Sequence, residues 1–155
     1  MILTEIRNLA RAHAKLAGGQ WTRAFPNSDD IPELYRRTIG LVGLGAVARL
    51  VAGYLQAFGC RLLAFDPYFK GDPAPVQLVD LATLLRESDV VSLHARLTPE
   101  TQHLIGRKEL SMMKRTAVLV NTARSGLVDE PALISALAER RSEERRVGKE
   151  CRSRW

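Results

Sequence analysis

Short apolar runs alternate with amphipathic segments from residue 38 onward, and this alternation predicts the order of strands and helices. Apolar runs of four to seven residues, closed by glycine, aspartate or a polar turn, are typical of strands that are buried on both faces. The predicted strands are 38–44, 61–65, 76–79, 90–93 and 117–120. The predicted helices are 46–58, 81–87 and 131–139, with two shorter helices inside 94–113.

The alternation of strands with helices also specifies the fold class. Parallel strands need long crossover connections that are almost always right-handed, so successive helices come to cover both faces of the sheet. We therefore predict an α/β fold with a Rossmann-type, doubly wound parallel sheet. Ahead of this sheet, apolar side chains at helical spacing predict one amphipathic helix over 2–17, followed by a polar connection over 20–37.

Composition narrows the class of protein. The chain has 155 residues, of which 46% are hydrophobic and 26% charged, which indicates one globular domain or part of a larger protein. The sequence shows no signal peptide. It also has no apolar stretch that approaches the roughly 20 residues needed to cross a bilayer, so we expect no membrane partner. Two cysteines, Cys60 and Cys151, are too few for a disulfide framework or a zinc site. We therefore expect a cytoplasmic protein without a bound metal.

Residues 141–155 differ from the rest of the chain. They carry six basic and three acidic side chains, and the apolar periodicity stops there. A basic arm for nucleic acid and a solvated, disordered tail are two interpretations of such a run. We favour a third, an artefact, because the fifteen residues resemble the in-frame translation of a sequencing-adapter oligonucleotide. Such a tail contributes no function, and the net charge of +6 then gives no support for a nucleic-acid partner.

A G-x-G-x-x-A pattern joins the first predicted strand to the helix that follows it. Gly43 allows a tight turn, Gly45 leaves room for a pyrophosphate to approach the backbone, and Ala48 allows helix and strand to pack closely. The N-terminus of the helix adds unpaired N–H groups and about half a positive charge. The competing interpretation is packing alone, since three small residues near a turn are a weak signal.

Asp66 follows the second predicted strand, where dinucleotide-binding folds meet a ribose diol. The alternative interpretation is a turn residue before Pro67. A carboxylate about 4 Å from the 2′-phosphate of NADP is repelled by on the order of 4 kcal/mol per charge pair at an effective dielectric of about 20. No arginine directly follows Asp66 to offset that repulsion. We therefore predict NAD as the cofactor.

Two longer segments carry a resemblance to a known family. The segments VVSLHARLTPETQHLIG (Val90–Gly106) and VLVNTARSGLVDEPAL (Val118–Leu133) resemble the D-isomer-specific 2-hydroxyacid dehydrogenases, which include phosphoglycerate, glycerate and formate dehydrogenases. The similarity runs from about residue 2 to residue 140. It implies an NAD-binding domain that is inserted within a separate substrate domain, a 2-hydroxy or 2-oxo acid substrate, and a homodimer of the full-length protein.

The resemblance also implies a division of the chain. Residues 1–37 are expected to be an interdomain helix and connection, and 38–140 a truncated Rossmann domain. The histidine that donates a proton and the glutamate that sets its charge are expected downstream of the last matching residue. We therefore expect this chain to be inactive alone, since a missing general acid typically lowers a rate by 10²–10⁴-fold.

Site residues are carried over from the family by position. Ala46 and Val47 are expected to meet the pyrophosphate, and Asp66 the adenosine ribose. The remaining expected contacts lie on two loops. His94 and Ala95 are expected to flank the cofactor, and Thr122 and Ala123 to lie near the nicotinamide. Arg124 is expected both to contact the cofactor and to be the catalytic arginine. An arginine suits that place because its planar, always charged fork can orient the carboxylate and carbonyl of a 2-oxo acid and stabilise charge that develops on the carbonyl oxygen.

Two other classes of protein share parts of this pattern. Transcriptional corepressors that sense NAD have the same fold and motifs without turnover. A Rossmann domain for another nucleotide-bearing cofactor, such as S-adenosylmethionine, is less compatible with the segment NTARSGLVDE, because methyl transfer requires no arginine there.

Overall fold

The computed structural model describes residues 1–21, 25 and 33–138, and within them five parallel strands form one sheet. The strand order is β3-β2-β1-β4-β5. The bounds are Thr38–Val42 (β1), Arg61–Phe65 (β2), Gln77–Leu78 (β3), Val90–Leu93 (β4) and Val118–Asn121 (β5). The predicted α/β, doubly wound parallel architecture is confirmed. The interpretation of 141–155 and most of the predicted connection over 20–37 lie outside the described residues.

Six helices and a short 3-10 turn connect or flank these strands in the described part of the chain. The helices are α1 (Ile2–Ile6), α2 (Leu9–Ala17), α3 (Ala46–Gln56), α4 (Leu81–Glu87), α5 (Arg107–Met112) and α6 (Glu130–Ala138), and the 3-10 turn is Ser125–Leu127. The Asp80 side chain caps α4 as an N-cap, since its carboxylate accepts a hydrogen bond from the Thr83 amide.

The register of the strands aligns their carboxyl ends at one edge of the sheet. Val42 pairs with Phe65 of β2 and with Leu93 of β4, and Leu93 pairs with Asn121 of β5. The chain proceeds outward from β1 to β3 on one side and from β4 to β5 on the other. The order therefore reverses between β1 and β4, and in open α/β sheets the ligand crevice lies at this switch point.

Helices cover both faces of the sheet, and each face buries its own apolar cluster. One cluster combines β1 and β2 residues with α3 and includes Ile39, Leu41, Leu62, Ala48, Ala52 and Leu55. The other combines residues of β4 and β5 with α4, α5 and α6 and includes Val91, Leu119, Leu84, Leu85, Leu110 and Leu133. All residues of β1, β4 and β5 are buried, which is why apolar residues occur on both faces of these strands rather than in alternation.

The single helix that was predicted over 2–17 is wrong, because the structure divides it at Asn8. This residue adopts a left-handed backbone conformation with φ of 55°, which asparagine tolerates better than most residues. Ile6 before the break is buried, whereas each residue of α2, all of them within the described chain, is at least partly exposed. Apolar spacing continues through the break, so periodicity alone did not reveal it.

Several predicted bounds also change. β1 ends at Val42 rather than at residue 44, because Gly43 has a φ of 90° and leaves the strand. β3 is shorter than predicted, with two residues. One helix, α5, forms where two were expected within 94–113, and residues 99–103 form turns instead.

Gly40 sets the distance between β1 and α4. A Cβ atom at this position would lie 2.5 Å from Leu84 Cδ2 and still closer to Ser88 Oγ, and both neighbouring residues are fully buried. The helix therefore packs against the strand more closely than any side chain at position 40 allows.

We expect Gly40→Ala to lower the free energy of unfolding by about 1–3 kcal/mol, because the added methyl group overpacks this contact. The matched control is Gly53→Ala on the outer side of α3, where no described atom lies within 4 Å of the new Cβ. It should stabilise the chain by up to about 1 kcal/mol, since alanine favours helix over glycine. Chemical denaturation followed by circular dichroism measures both, and equal effects of the two substitutions would contradict the packing argument.

Candidate cofactor-binding site

The turn after β1 needs glycine at position 43 for two independent reasons. Its φ of 90° lies in a region that side chains rarely adopt, and an added Cβ would lie 2.8 Å from Ala95 N and 3.0 Å from His94 C. The Gly43 amide also donates a hydrogen bond of 2.8 Å to the Phe65 carbonyl at the end of β2. This turn is therefore held between the ends of β2 and β4.

Gly45 has a different role, because its surroundings are open. It is the N-cap of α3, its backbone is extended, and no described atom lies within 4 Å of the position of a Cβ. The first hydrogen bond of the helix runs from Arg49 N to Gly45 O, which leaves the amides of the exposed residues Ala46 and Val47 without a partner inside the helix. The turn thus presents N–H groups and the positive end of a helix dipole to open space, as an anion site requires.

Asp66 lies directly beside this turn. Its Oδ2 accepts a hydrogen bond of 2.9 Å from Leu44 N, and its Oδ1 accepts one of 3.0 Å from Tyr68 N. The half-buried carboxylate thus joins the end of β2 to the middle of the glycine turn. A ribose diol at this place would meet a negative charge that the backbone already holds in orientation.

His94 follows β4 on the opposite side of the crevice. Its amide donates to the Val42 carbonyl at 2.8 Å, and its ring Nε2 lies 3.0 Å from the Ser92 hydroxyl. Burial of the ring lowers the pKa of His94 below its ordinary value near 6.5, because the protein solvates the imidazolium less well than water does. The neutral imidazole is therefore the form that the fold favours.

The loop after β5 carries Thr122, Ala123 and Arg124. Thr122 and Arg124 are exposed, and Ala123 is half-buried. The guanidinium of Arg124 folds back along its own loop, and its Nη1 donates a hydrogen bond of 2.8 Å to the Ala123 carbonyl. Because that carbonyl is neutral, an anionic ligand would be a stronger partner for the guanidinium.

This loop is braced by the segment that follows His94. The His103 amide donates to the Gly126 carbonyl at 2.8 Å, and the Ile105 amide donates to the Leu127 carbonyl at 3.0 Å. A Cβ on Gly126 would approach the Leu97 side chain to 3.0 Å, so the two segments are in close contact. The loops after β4 and β5 therefore form one packed unit.

The predicted site residues thus fall into two groups along the edge of the sheet. Hydrogen bonds and close contacts connect Gly43, Asp66, His94 and Ala95 around the glycine turn. Arg124 lies with Thr122 and Ala123 after β5, one strand beyond β4. The sequence interpretation missed Asn121, the buried asparagine that precedes this loop, although a polar residue at the end of an apolar strand was a visible signal.

Comparison with known proteins decides between the families that share this arrangement. The sequence profile described as "D-isomer specific 2-hydroxyacid dehydrogenase, NAD binding domain" matches residues 1–144. The chain belongs to this family. The predicted resemblance and the predicted cofactor, NAD, are thereby confirmed, whereas the roles of the individual site residues stay predictions.

Individual relatives agree with this membership. The chain is 40% identical over 143 residues to a D-3-phosphoglycerate dehydrogenase of Methanocaldococcus jannaschii, covering 90% of this chain and 27% of the relative. It is 41% identical over 133 residues to a hydroxypyruvate reductase of Thermotoga maritima, covering 86% and 42%. The structure of NAD-dependent formate dehydrogenase from Staphylococcus aureus in complex with NAD has a TM-score of 0.80 and 34% identity, covering 92% and 43%. The chain therefore spans less than half the length of these relatives.

The described residues offer neither a membrane-spanning helix nor a cluster of metal ligands. Within the described ranges, no helix has both the length and the apolar character that a membrane crossing requires. The same residues contain no group of three or more histidine, cysteine, aspartate or glutamate side chains that could hold a metal ion.

The lowered pKa of His94 predicts how stability depends on pH. An unfolded chain binds a proton at this histidine more readily than the folded chain does, so the free energy of unfolding should decrease as pH falls through about 6.5. His94→Gln should reduce this decrease, because it removes the titrating group. Denaturation curves between about pH 7.5 and about pH 5 measure the effect. Identical pH dependence in the variant and the wild type would contradict the assignment.

Proposed function

We propose that this chain supplies the cofactor-binding part of a D-2-hydroxyacid dehydrogenase, in which the whole protein transfers a hydride between NAD(H) and a 2-oxo or 2-hydroxy acid. The observation that carries the proposal is the hydrogen bond between the Asp66 carboxylate and the glycine turn that precedes α3. Bound NAD would supply the hydride or accept it. The residues of this domain would bind and orient the cofactor and the acid.

The glycine turn would hold the adenosine half of the cofactor. The open space at Gly45 admits a pyrophosphate to the amides of Ala46 and Val47, where the helix dipole adds attraction. The Asp66 carboxylate would accept hydrogen bonds from the ribose hydroxyls, and such charge-assisted bonds contribute about 1.5–3 kcal/mol each. The same charge would repel the extra phosphate of NADP, which supports selectivity for NAD.

The two packed loops would hold the nicotinamide half. His94 and Ala95 would flank the cofactor from the loop after β4, and Thr122 and Ala123 would lie near the nicotinamide from the loop after β5. Arg124 would bind the carboxylate and carbonyl oxygen of the acid through its guanidinium fork, leaving its weaker bond to the Ala123 carbonyl. This arrangement would stabilise the negative charge that develops on that oxygen.

The competing class, a corepressor that senses NAD without turnover, gains no support from the comparisons. The three relatives named above are a dehydrogenase of phosphoglycerate, a reductase of hydroxypyruvate and a dehydrogenase of formate. We also propose a cytoplasmic location, which is consistent with the free thiol of half-buried Cys60.

A homodimer of the full-length protein is supported by the outer face of α3. Val47, Leu50 and Tyr54 lie on it at helical spacing, with 65%, 65% and 72% of their surfaces exposed. Phe58 extends this stripe just beyond the end of the helix. A helix that is apolar on its outer as well as its inner face is usually covered on both, and a second copy of the same helix would provide a matching surface.

We expect Gly45→Val to weaken NAD binding by at least about ten-fold, because its side chain would occupy the space of the pyrophosphate. The fold should tolerate the change, since the backbone at residue 45 is extended and no described atom lies within 4 Å of its Cβ. Isothermal titration calorimetry with NAD measures the affinity, and thermal unfolding verifies the fold.

The same titration on Asp66→Ala should also show a loss of roughly ten-fold or more, since the ribose loses a charged acceptor. Gly53→Ala, on α3 but away from the turn, is the control that should retain full affinity. Unchanged affinity in both Gly45→Val and Asp66→Ala would contradict the proposed cofactor site.

For the dimer, we expect Leu50→Glu to shift the full-length protein from dimer to monomer in sedimentation velocity, because two buried glutamates would face each other across a two-fold axis. The matched control is Ile134→Glu on α6, which introduces the same charge at a residue with 59% exposure. A dimer that persists in Leu50→Glu, or one that Ile134→Glu disrupts equally, would exclude the α3 face as the interface.

A further inference from the structure

We propose that Asn121 is a positioning residue that fixes the nicotinamide end of the crevice by holding the loop from Thr122 to Arg124. The inference rests on the proposed function, since it concerns the part of the site that would meet the nicotinamide. Asn121 is the last residue of β5, and only 6% of its surface is exposed. It therefore lies beneath the loop rather than inside the crevice.

Both polar ends of the Asn121 side chain bind this loop. Its Nδ2 donates a hydrogen bond of 2.9 Å to the Arg124 carbonyl, and its Oδ1 accepts one of 3.1 Å from the Ala123 amide. The Arg124 carbonyl also accepts a bond of 3.2 Å from the Leu127 amide, at the 3-10 turn that follows. The backbone of Ala123 and Arg124 is thus anchored from below and from the far side.

Asparagine is suited to this place because one short side chain must accept from an N–H and donate to a C=O at the same time. An aspartate of the same shape would keep the acceptor and place a second oxygen against the Arg124 carbonyl, which is repulsive. A serine is too short to make both bonds. The sheet cannot replace these bonds, because residues 122–124 lie beyond the end of β5.

The anchored segment includes every residue that we expect near the nicotinamide from the β5 side. A displacement of this loop would move the exposed Thr122 and Arg124 while leaving the glycine turn and Asp66 untouched, since these lie at the ends of β1 and β2. The two halves of the crevice should therefore respond differently to a change at Asn121. This difference separates a positioning role from general stabilisation.

The experiment compares the binding of NAD with that of ADP-ribose, which has the adenosine half and both phosphates but no nicotinamide. In Asn121→Asp we expect NAD affinity to fall by on the order of ten-fold, as the loss of an anchoring hydrogen bond and a new repulsion imply. ADP-ribose affinity should stay within about two-fold of wild type. Asn121→Ser serves as a second variant if Asn121→Asp does not fold, and thermal unfolding identifies that case.

The control is Asn8→Ala, which removes another buried asparagine, at the break between α1 and α2. It should lower the thermal unfolding temperature and leave the ratio of the two affinities unchanged. Equal losses for NAD and ADP-ribose in the Asn121 variants, no loss in either, or a wild type that binds both ligands equally well would overturn the positioning role. A wild-type chain that binds neither ligand would instead contradict the proposed function itself, and the inference with it.

Discussion

The hydrogen bond from the Leu44 amide to the Asp66 carboxylate, 2.9 Å long, connects the turn after β1 with the end of β2. The rest of the site depends on this connection. It orients the carboxylate through a backbone amide rather than through another side chain. It also fixes the turn from which α3 begins, and hence the direction in which the amides of Ala46 and Val47 point. The proposed ribose site and the proposed phosphate site are thereby connected by one hydrogen bond.

On its other side, the glycine turn is held by close contact with the loop after β4. Gly43 contacts the backbone of Ala95 so tightly that no side chain fits between them, which ties the loop after β4 to the loop after β1. The loop after β4 also packs against the segment after β5, where Leu97 contacts Gly126. The crevice is therefore continuous from Asp66 to the Arg124 loop, although its residues come from four different strand ends.

Much of the fold and of the candidate site could be predicted from the sequence. The features that escaped prediction have one physical cause in common. The strands were readable because strands buried on both faces are apolar without interruption, and the glycine turn was readable because each small residue answers a steric need. Asn8 and Gly40 were not, since the role of Asn8 depends on its backbone conformation and that of Gly40 on neighbours that are distant in sequence. Glycine is required at position 40 because Leu84 and Ser88 of the α4 region lie so close to it. The sequence of β1 alone does not reveal these two neighbours.

In this site, the groups that fix the geometry differ from the groups that carry the charge. Arg124 presents an exposed guanidinium, and the hydrogen bonds of its own backbone fix where that side chain starts. A long side chain amplifies an error at its base, so the buried Asn121 is a better place to define the geometry of the loop than the arginine itself. Asp66 obeys the same rule at the opposite end, where amides of Leu44 and Tyr68 hold the charged group. In both halves, hydrogen bonds to the backbone set the position from which one charged side chain would meet a ligand.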